Sequence, residues 1–429
     1  MKRNHLVMSA LGVLFFALSP MAQAVAEPED PAGDTSDRDD AHEDHESAEH
    51  ENGERESEEH DESSEEHDDE DHDRGSPESL RDLTDDEHPD YDDDRFPVAR
   101  DEVIGLDLSE SGLAAATTHG FRVIDTMRLS TLHSSVTRLS VPPGMRLGEA
   151  AALLRQIDPH ATVALSHYYG TPASGLHNAR RTRITPITPP PQRIIPRLRI
   201  GMIDSAVDQH PMLGRAAITR AQFGNAAEDP SGHGTAVASV LASDGATEIL
   251  AANVFRGGSG RQFTSPDAII RGLGWLIDHR VPVINISLAG PRNAVLDALF
   301  ARALANGHVI VAAAGNGGPS APPAYPAALD GVVAVTAVDA QHRVYRYANR
   351  GDYVRVSAIG VAVPTAAPGG MQAMQSGTSF AAPHIAARLA RCATRITTSN
   401  SHCITAMERT ALDLGVPGRD PIYGLGLIR

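Results

Sequence analysis

The sequence predicts an α/β fold, a three-layer, doubly wound and mostly parallel sheet, preceded by a small α+β unit of ferredoxin-like pattern and by a disordered acidic segment. Three observations carry this. Between residues 197 and 429, near-continuous apolar runs of strand length alternate with longer helical stretches. Strands buried on both faces imply a parallel sheet covered by helices on either side. Residues 96–169 instead order as strand, helix, strand, strand, helix, strand, a split β-α-β pattern. The third observation is charge. The net formal charge is −19 over 429 residues, yet residues 27–95 alone hold 34 Asp and Glu against five Arg, so residues 96–429 are net basic.

In chain order, Lys2 and Arg3 open a basic start, Leu6 to Leu18 form an apolar run, and small residues follow at Ala22, Ala24 and Ala26. This is the pattern of a signal peptide over residues 1–26, with an apolar run too short to span a bilayer. The expectation is export, to the periplasm or the medium, without a stable membrane anchor. Residues 27–95 carry too little apolar surface to offset the entropy of ordering and read as disordered. Their seven histidines, His42, His45, His50, His60, His67, His72 and His88, follow no repeated ligand spacing. A solvated spacer is therefore favoured over metal capture, and no metal site is assigned. Metal sequestration by this tract stays as an alternative function.

DEVIGLDL, FRVIDTMRL, SSVTRLSVP and ATVALSHYY are the strands of the α+β unit, and SESGLAAATTHG and RLGEAAALLRQID its helices. Residues 170–196, rich in Pro and Arg, lack a periodic pattern and read as a linker. Beyond it, RIGMID, EILAANVF, VPVINISL, HVIVAAAG and VVAVTAV are the buried strands, with SPDAIIRGLGWLIDHR a helix between them. In an exported chain the only two cysteines, Cys392 and Cys403, are expected to pair, a closure worth roughly 3 kcal/mol on a chain-entropy model.

Chemistry concentrates in four segments. RLRIGMID ends a strand at Asp204. SGHGTAVASVLAS opens a helix at His233. SGTSFAAPHIAARLA places Ser379 at a helix mouth just after Gly377, beside unpaired amide donors and the positive end of the helix dipole. A serine hydroxyl needs an imidazole to take its proton, and the imidazole needs a carboxylate to fix its tautomer. HVIVAAAGN ends at Asn316, whose amide can join the Ser379 amide in holding an oxyanion.

These segments resemble the motifs of the subtilisin-like serine proteases, the subtilase family. Asp204 in IDSAV is similar to the family's aspartate motif, His233 in GHGTAVAS to its histidine motif, Ser379 in GTSFAAPH to its serine motif, and Asn316 in AAAGN to its oxyanion asparagine. INISLAG, the YPA of Tyr325 to Ala327, and the C-terminal DPIYGLGLIR are weaker echoes. The resemblance covers residues 197–429. Ala206 and Ala236 stand where the family usually has Gly and a second His; neither position carries a proton. The resemblance implies a serine endopeptidase acting on proteins or peptides without a catalytic cofactor. It also implies that residues 96–169 are an inhibitory propeptide, the chain's own partner, with its tail ALSHYY in the cleft. Substrate would add as a strand beside residues 286–290. Ser287, Leu288, Ala289, Gly290, Ala313, Ala314 and Gly315 would line the pocket, an uncharged set that favours an apolar residue before the cut. Self-cleavage is expected between Tyr169 and Gly170, with Tyr169 filling that pocket. Family members often hold a structural calcium, but no acidic loop identifies a site. A monomer is expected, with no nucleic-acid partner. The rival from another class is a catalytically inactive binding protein of the same fold, disfavoured by the intact Asp204, His233 and Ser379.

Overall fold

The computed structural model describes residues 90–171, 182–183, 197–214, 216–224, 232–256, 263–394 and 400–429. The chain divides into two units, Met1–Asp69 and Glu70–Arg429, and every described residue lies in the second. The segment read as a signal peptide, nearly all of the acidic tract with its seven histidines, and most of the expected linker fall outside the described residues.

The α+β part runs β1 (Asp90–Tyr91), β2 (Pro97–Leu106), α1 (Glu110–Thr118), β3 (Arg122–Leu129), β4 (Ser134–Ser140), α2 (Leu147–Ile157) and β5 (Thr162–His167). The strands are antiparallel in the spatial order β5-β2-β4-β3, the ferredoxin-like arrangement that the sequence predicts. Its boundary differs from expectation. Residues 90–95 belong to this unit: β1 folds back on the start of β2, and Asp92 accepts from the Phe96 amide at 2.7 Å. α1 starts where Ser109 Oγ caps the Gly112 amide at 2.9 Å, and the Asp158 carboxylate beyond α2 takes both the amide and the hydroxyl of Ser109. The two faces of the sheet have different partners. Val103, Leu139 and Val163 pack with Phe121 and Leu154 in the unit's own core. Ile104, Val136 and Ala164 face the rest of the protein.

The chain continues as β6 (Tyr169–Gly170), β7 (Thr182–Arg183), β8 (Arg199–Asp204), β9 (Ala217–Gln222), α3 (His233–Ser243), β10 (Glu248–Asn253) and β11 (Phe263–Thr264). There follow α4 (Pro266–Asp278), β12 (Val283–Ile286), α5 (Ala294–Ala305), β13 (Val309–Ala313), β14 (Val333–Val338) and β15 (Val356–Ile359). A hairpin of β16 (Val363–Ala367) and β17 (Met371–Gln375) leads into α6 (Thr378–Ala393), and α7 (Asn400–Glu408) comes last. The main sheet has the order β15-β14-β13-β12-β8-β10-β9, with every pairing parallel. Alternation along each strand divides the core. Ile200, Met202, Val309 and Val311 face α3 and α6, whereas Ile203, Ile310 and Ala312 face α4 and α5. The order reverses at β8, whose two neighbours β10 and β12 both come later in the chain, and in such sheets ligands bind beyond the strand ends at that switch point.

The second face of the α+β sheet lies on α4 and α5: Ile104, Leu129, Leu132 and Val136 share one core with Ile269, Leu273, Leu299 and Phe300. Around it Arg302 pairs with Asp107 at 2.7 Å, Arg271 with Asp125, and Arg138 with Asp267 at 3.7 Å. The linker reading needs one correction. Thr182 and Arg183 form β7, which pairs antiparallel with Gln372 and Met371 of β17. Cys392 and Cys403 are disulfide-bonded, as expected, and tie the end of α6 to α7. Among the described residues no helix is long and apolar enough to cross a membrane.

Candidate active site

Asp204 is the last residue of β8, fully buried at the switch point. Its Oδ1 receives the Ser205 amide at 2.7 Å and His233 Nδ1 at 2.7 Å. Nδ1 therefore carries its proton toward the carboxylate, and Nε2 is left as the basic nitrogen. His233 is held at the first turn of α3 because that turn is pressed against the end of β8. The Gly234 amide donates to Ser205 Oγ at 2.9 Å, and a Cβ at Gly234 would lie 2.3 Å from the Ser205 carbonyl. Ala206 has no positive φ, so the alanine sits there without backbone strain.

Ser379 is the second residue of α6, fully buried. The next residue, Phe380, lies against the His233 ring with 5.7 Å between centroids, which brings α3 and α6 together at the imidazole. Among the described residues the Ser379 hydroxyl has no hydrogen-bond partner. Asn316 follows β13. Its Oδ1 accepts from the Thr378 amide at 3.0 Å and the Thr378 hydroxyl at 2.8 Å, while that hydroxyl also receives the Gly315 amide at 3.2 Å. With Oδ1 taken, Nδ2 is turned over Gly377, where a Cβ would lie only 2.9 Å from it. Gly377 also has φ 155°. Both facts require glycine there. The result is an amide donor beside the start of α6.

The structure thus gathers all four chemistry-bearing residues at the carboxyl ends of β8 and β13 and the amino ends of α3 and α6. Sequence reasoning missed Ser205 and Thr378. Both stand next to an assigned residue, but their contacts, with Gly234 and with Asn316, span 29 and 62 residues and leave no local pattern.

The edge expected to take substrate is occupied by the chain itself. Gly170 pairs with Ala289 through two backbone hydrogen bonds, at 3.1 and 2.9 Å, and β6 pairs on its other side with β11, an edge that the sequence did not reveal. Tyr169 is buried in one core with Ile269, Leu288, Leu296 and Phe300 and borders a small cavity with Tyr325 and Pro326, its hydroxyl donating to the Pro291 carbonyl at 2.8 Å. Burial, with the Asp297 carboxylate adding to it, pushes its phenol well above the ordinary range, so it stays neutral. Gly290 lies against the Tyr169 ring, where a Cβ would stand 2.3 Å from it, whereas Ala313, Ala314 and Gly315 do not border that cavity. Those three lie buried along the end of β13, with Tyr353 donating to the Ala314 carbonyl at 2.7 Å. Tyr169 therefore packs on the Leu288–Gly290 side of the expected set and not beside Ala313–Gly315. Register explains it. Ser287, two positions before Ala289, donates from Oγ to the Ser379 carbonyl at 3.1 Å. Counting antiparallel from the Gly170–Ala289 pair, Tyr169 stands three residues short of the position that faces Ser287.

No cluster of three or more His, Cys, Asp or Glu side chains among the described residues could hold a metal ion. Comparison with known proteins matches residues 198–426 to the Subtilase family. Relatives include the minor extracellular protease Epr of Bacillus subtilis, 31% identical over 54% of this chain and 38% of that one. Subtilisin E of the same species is 32% identical over 54% of this chain and 64% of that one. Subtilisin DY of Bacillus licheniformis is 34% identical over 54% of this chain and 88% of that one. The match thus spans less than two thirds of some relatives. Among solved structures, fervidolysin from Fervidobacterium pennivorans, a keratinolytic enzyme, aligns with TM-score 0.62 at 20% identity, over 80% of this chain and 61% of that one. That likeness speaks to the fold.

Proposed function

Because the chain belongs to the subtilase family, we propose that it is an exported serine endopeptidase made as a precursor, with residues 90–171 as its inhibitory segment. The observation that carries this reading is the 2.7 Å bond from His233 Nδ1 to Asp204, set beside a buried Ser379 at a helix start. In the reaction, His233 Nε2 takes the Ser379 proton as Oγ attacks the scissile carbonyl. Asn316 Nδ2 and the Ser379 amide hold the oxyanion. The imidazolium, steadied by Asp204, then gives its proton to the leaving amine as the peptide C–N bond breaks. Water, deprotonated by the same imidazole, cleaves the acyl-enzyme and restores Ser379.

Substrate enters as a strand between residues 263–264 and 287–290, as β6 does in the precursor. The uncharged wall Ala313–Gly315 favours an apolar residue before the cut. Tyr169 stands further upstream, so the maturation cut falls beyond Thr171 and not between Tyr169 and Gly170. A serine-directed fluorophosphonate should label the wild type and not Ser379→Ala, and Ser379→Ala should accumulate uncut. Casein hydrolysis at the wild-type rate by Ser379→Ala would remove the nucleophile assignment. N-terminal sequencing of the wild-type product should give a start beyond residue 171; a start at Gly170 would restore the original site.

A further inference from the structure

In an α-helix the carbonyl of residue i accepts from the amide of residue i+4. In α6 the residue four beyond Ser379 is Pro383, which has no N–H and whose ring crowds the i−4 carbonyl. The nucleophile's own carbonyl is thus deprived of its helical donor at a fully buried site. An acceptor left unpaired there would be costly.

The missing donor comes from outside the helix. Ser287 Oγ donates to the Ser379 carbonyl at 3.1 Å, and Asn285 Nδ2 donates to Ser287 Oγ at 3.0 Å. Since the Ser287 oxygen is engaged as an acceptor by Asn285, its proton is directed to Ser379. Asn285 and Ser287 are both fully buried, two residues apart on one face of the chain leaving β12. Ser287 also opens the edge on which Gly170 pairs with Ala289. One hydroxyl therefore joins the strand that holds the substrate to the peptide group of the nucleophile.

We propose that Ser287 is a positioning residue that acts through the Ser379 carbonyl, and that Pro383 is what makes this carbonyl available. The bond fixes the Ser379 amide and Oγ relative to the substrate strand. Pro383→Ala would return a helical donor and turn the carbonyl back into the helix. This inference rests on the protease reading.

The test is a double-mutant cycle of Ser287→Ala and Pro383→Ala in the protein matured from the full chain, reading kcat and KM on a chromogenic peptide anilide and Tm on the same samples. Ser287→Ala should lower kcat 10- to 100-fold with KM within about twofold, because the carbonyl is left unpaired and the nucleophile loosened. In the Pro383→Ala background its further effect on kcat should shrink to threefold or less, and its loss in Tm should at least halve. A raised KM with unchanged kcat would make Ser287 a mere pocket wall and overturn the proposal. Equal losses in both backgrounds would also overturn it, since the two residues would then act independently. A wild-type full chain that neither matures nor hydrolyses the anilide, but in which the Tm values of the uncut chains still couple, would refute the protease reading, and the catalytic role with it, while leaving the bond itself established.

Discussion

Asn316 and Thr378 act as one unit. The Asn316 carboxamide has two ends, and Thr378 fixes their orientation by occupying Oδ1 with both its amide and its hydroxyl. On the proposed mechanism, Asn316→Ala should reduce kcat roughly 100- to 1000-fold while KM changes little, because the lost donor matters only as charge develops on the oxygen. Steady-state kinetics decide this; a loss confined to KM would place Asn316 in ground-state binding. Asp204, His233, Ser379 and Asn316 were legible in the sequence because each ends a recognisable strand or begins a recognisable helix. Thr378 was not, although it lies inside the same GTSFAAPH segment, since its contact with Asn316 spans 62 residues and no local pattern encodes it. Pro383 was visible too. Only the partner that replaces its missing donor needed the three-dimensional structure.

The elements were read best where one periodicity dominates. β8, β13 and β14 are apolar on both faces, and α3, α4 and α6 are long enough to declare themselves. β9 is largely exposed, and the β16–β17 hairpin is held by a local turn, so neither stood out from its composition. Within the α+β part, the Asp158 carboxylate ties α1 to the end of α2. Its pKa lies below the ordinary carboxylate range, chiefly because the Ser109 amide and hydroxyl donate to the charged form. A carboxyl group whose folded pKa is depressed stabilises above its unfolded value, near ~3.9, and that stabilisation is lost as pH falls through the folded pKa. Asp158→Asn in the Ser379→Ala precursor should therefore cost about 1 kcal/mol at pH 6, the difference between a charge-assisted and a neutral acceptor. The gap to the parent should close as the solution is acidified below that range. Urea titrations across pH measure it; a gap independent of pH would assign the effect to shape and not charge.

At the scale of the whole molecule, the α+β part has a sheet apolar on both sides but helices on only one. Its second face is covered by α4 and α5 beside the parallel sheet, so the two are complementary surfaces of one core. The sequence displayed the strands without displaying this partnership, because a both-faces-apolar pattern does not say what covers each face. Gly274 of α4 marks the contact: a Cβ there would lie 2.6 Å from Leu129 Cδ2. In a helix interior alanine is worth about 0.5–1 kcal/mol over glycine, and Gly274 is not at a positive φ that would oppose the change. On the proposed maturation, Gly274→Ala should therefore raise the Tm of the matured body, from which Leu129 would have departed. In the Ser379→Ala precursor the same methyl must displace Leu129 from a filled core, so the gain should vanish or reverse. Calorimetry on both forms tests the docking directly. An equal gain in both would mean that Leu129 does not rest on α4 in solution, and the α+β part would then have to be held by its tail at β6 alone.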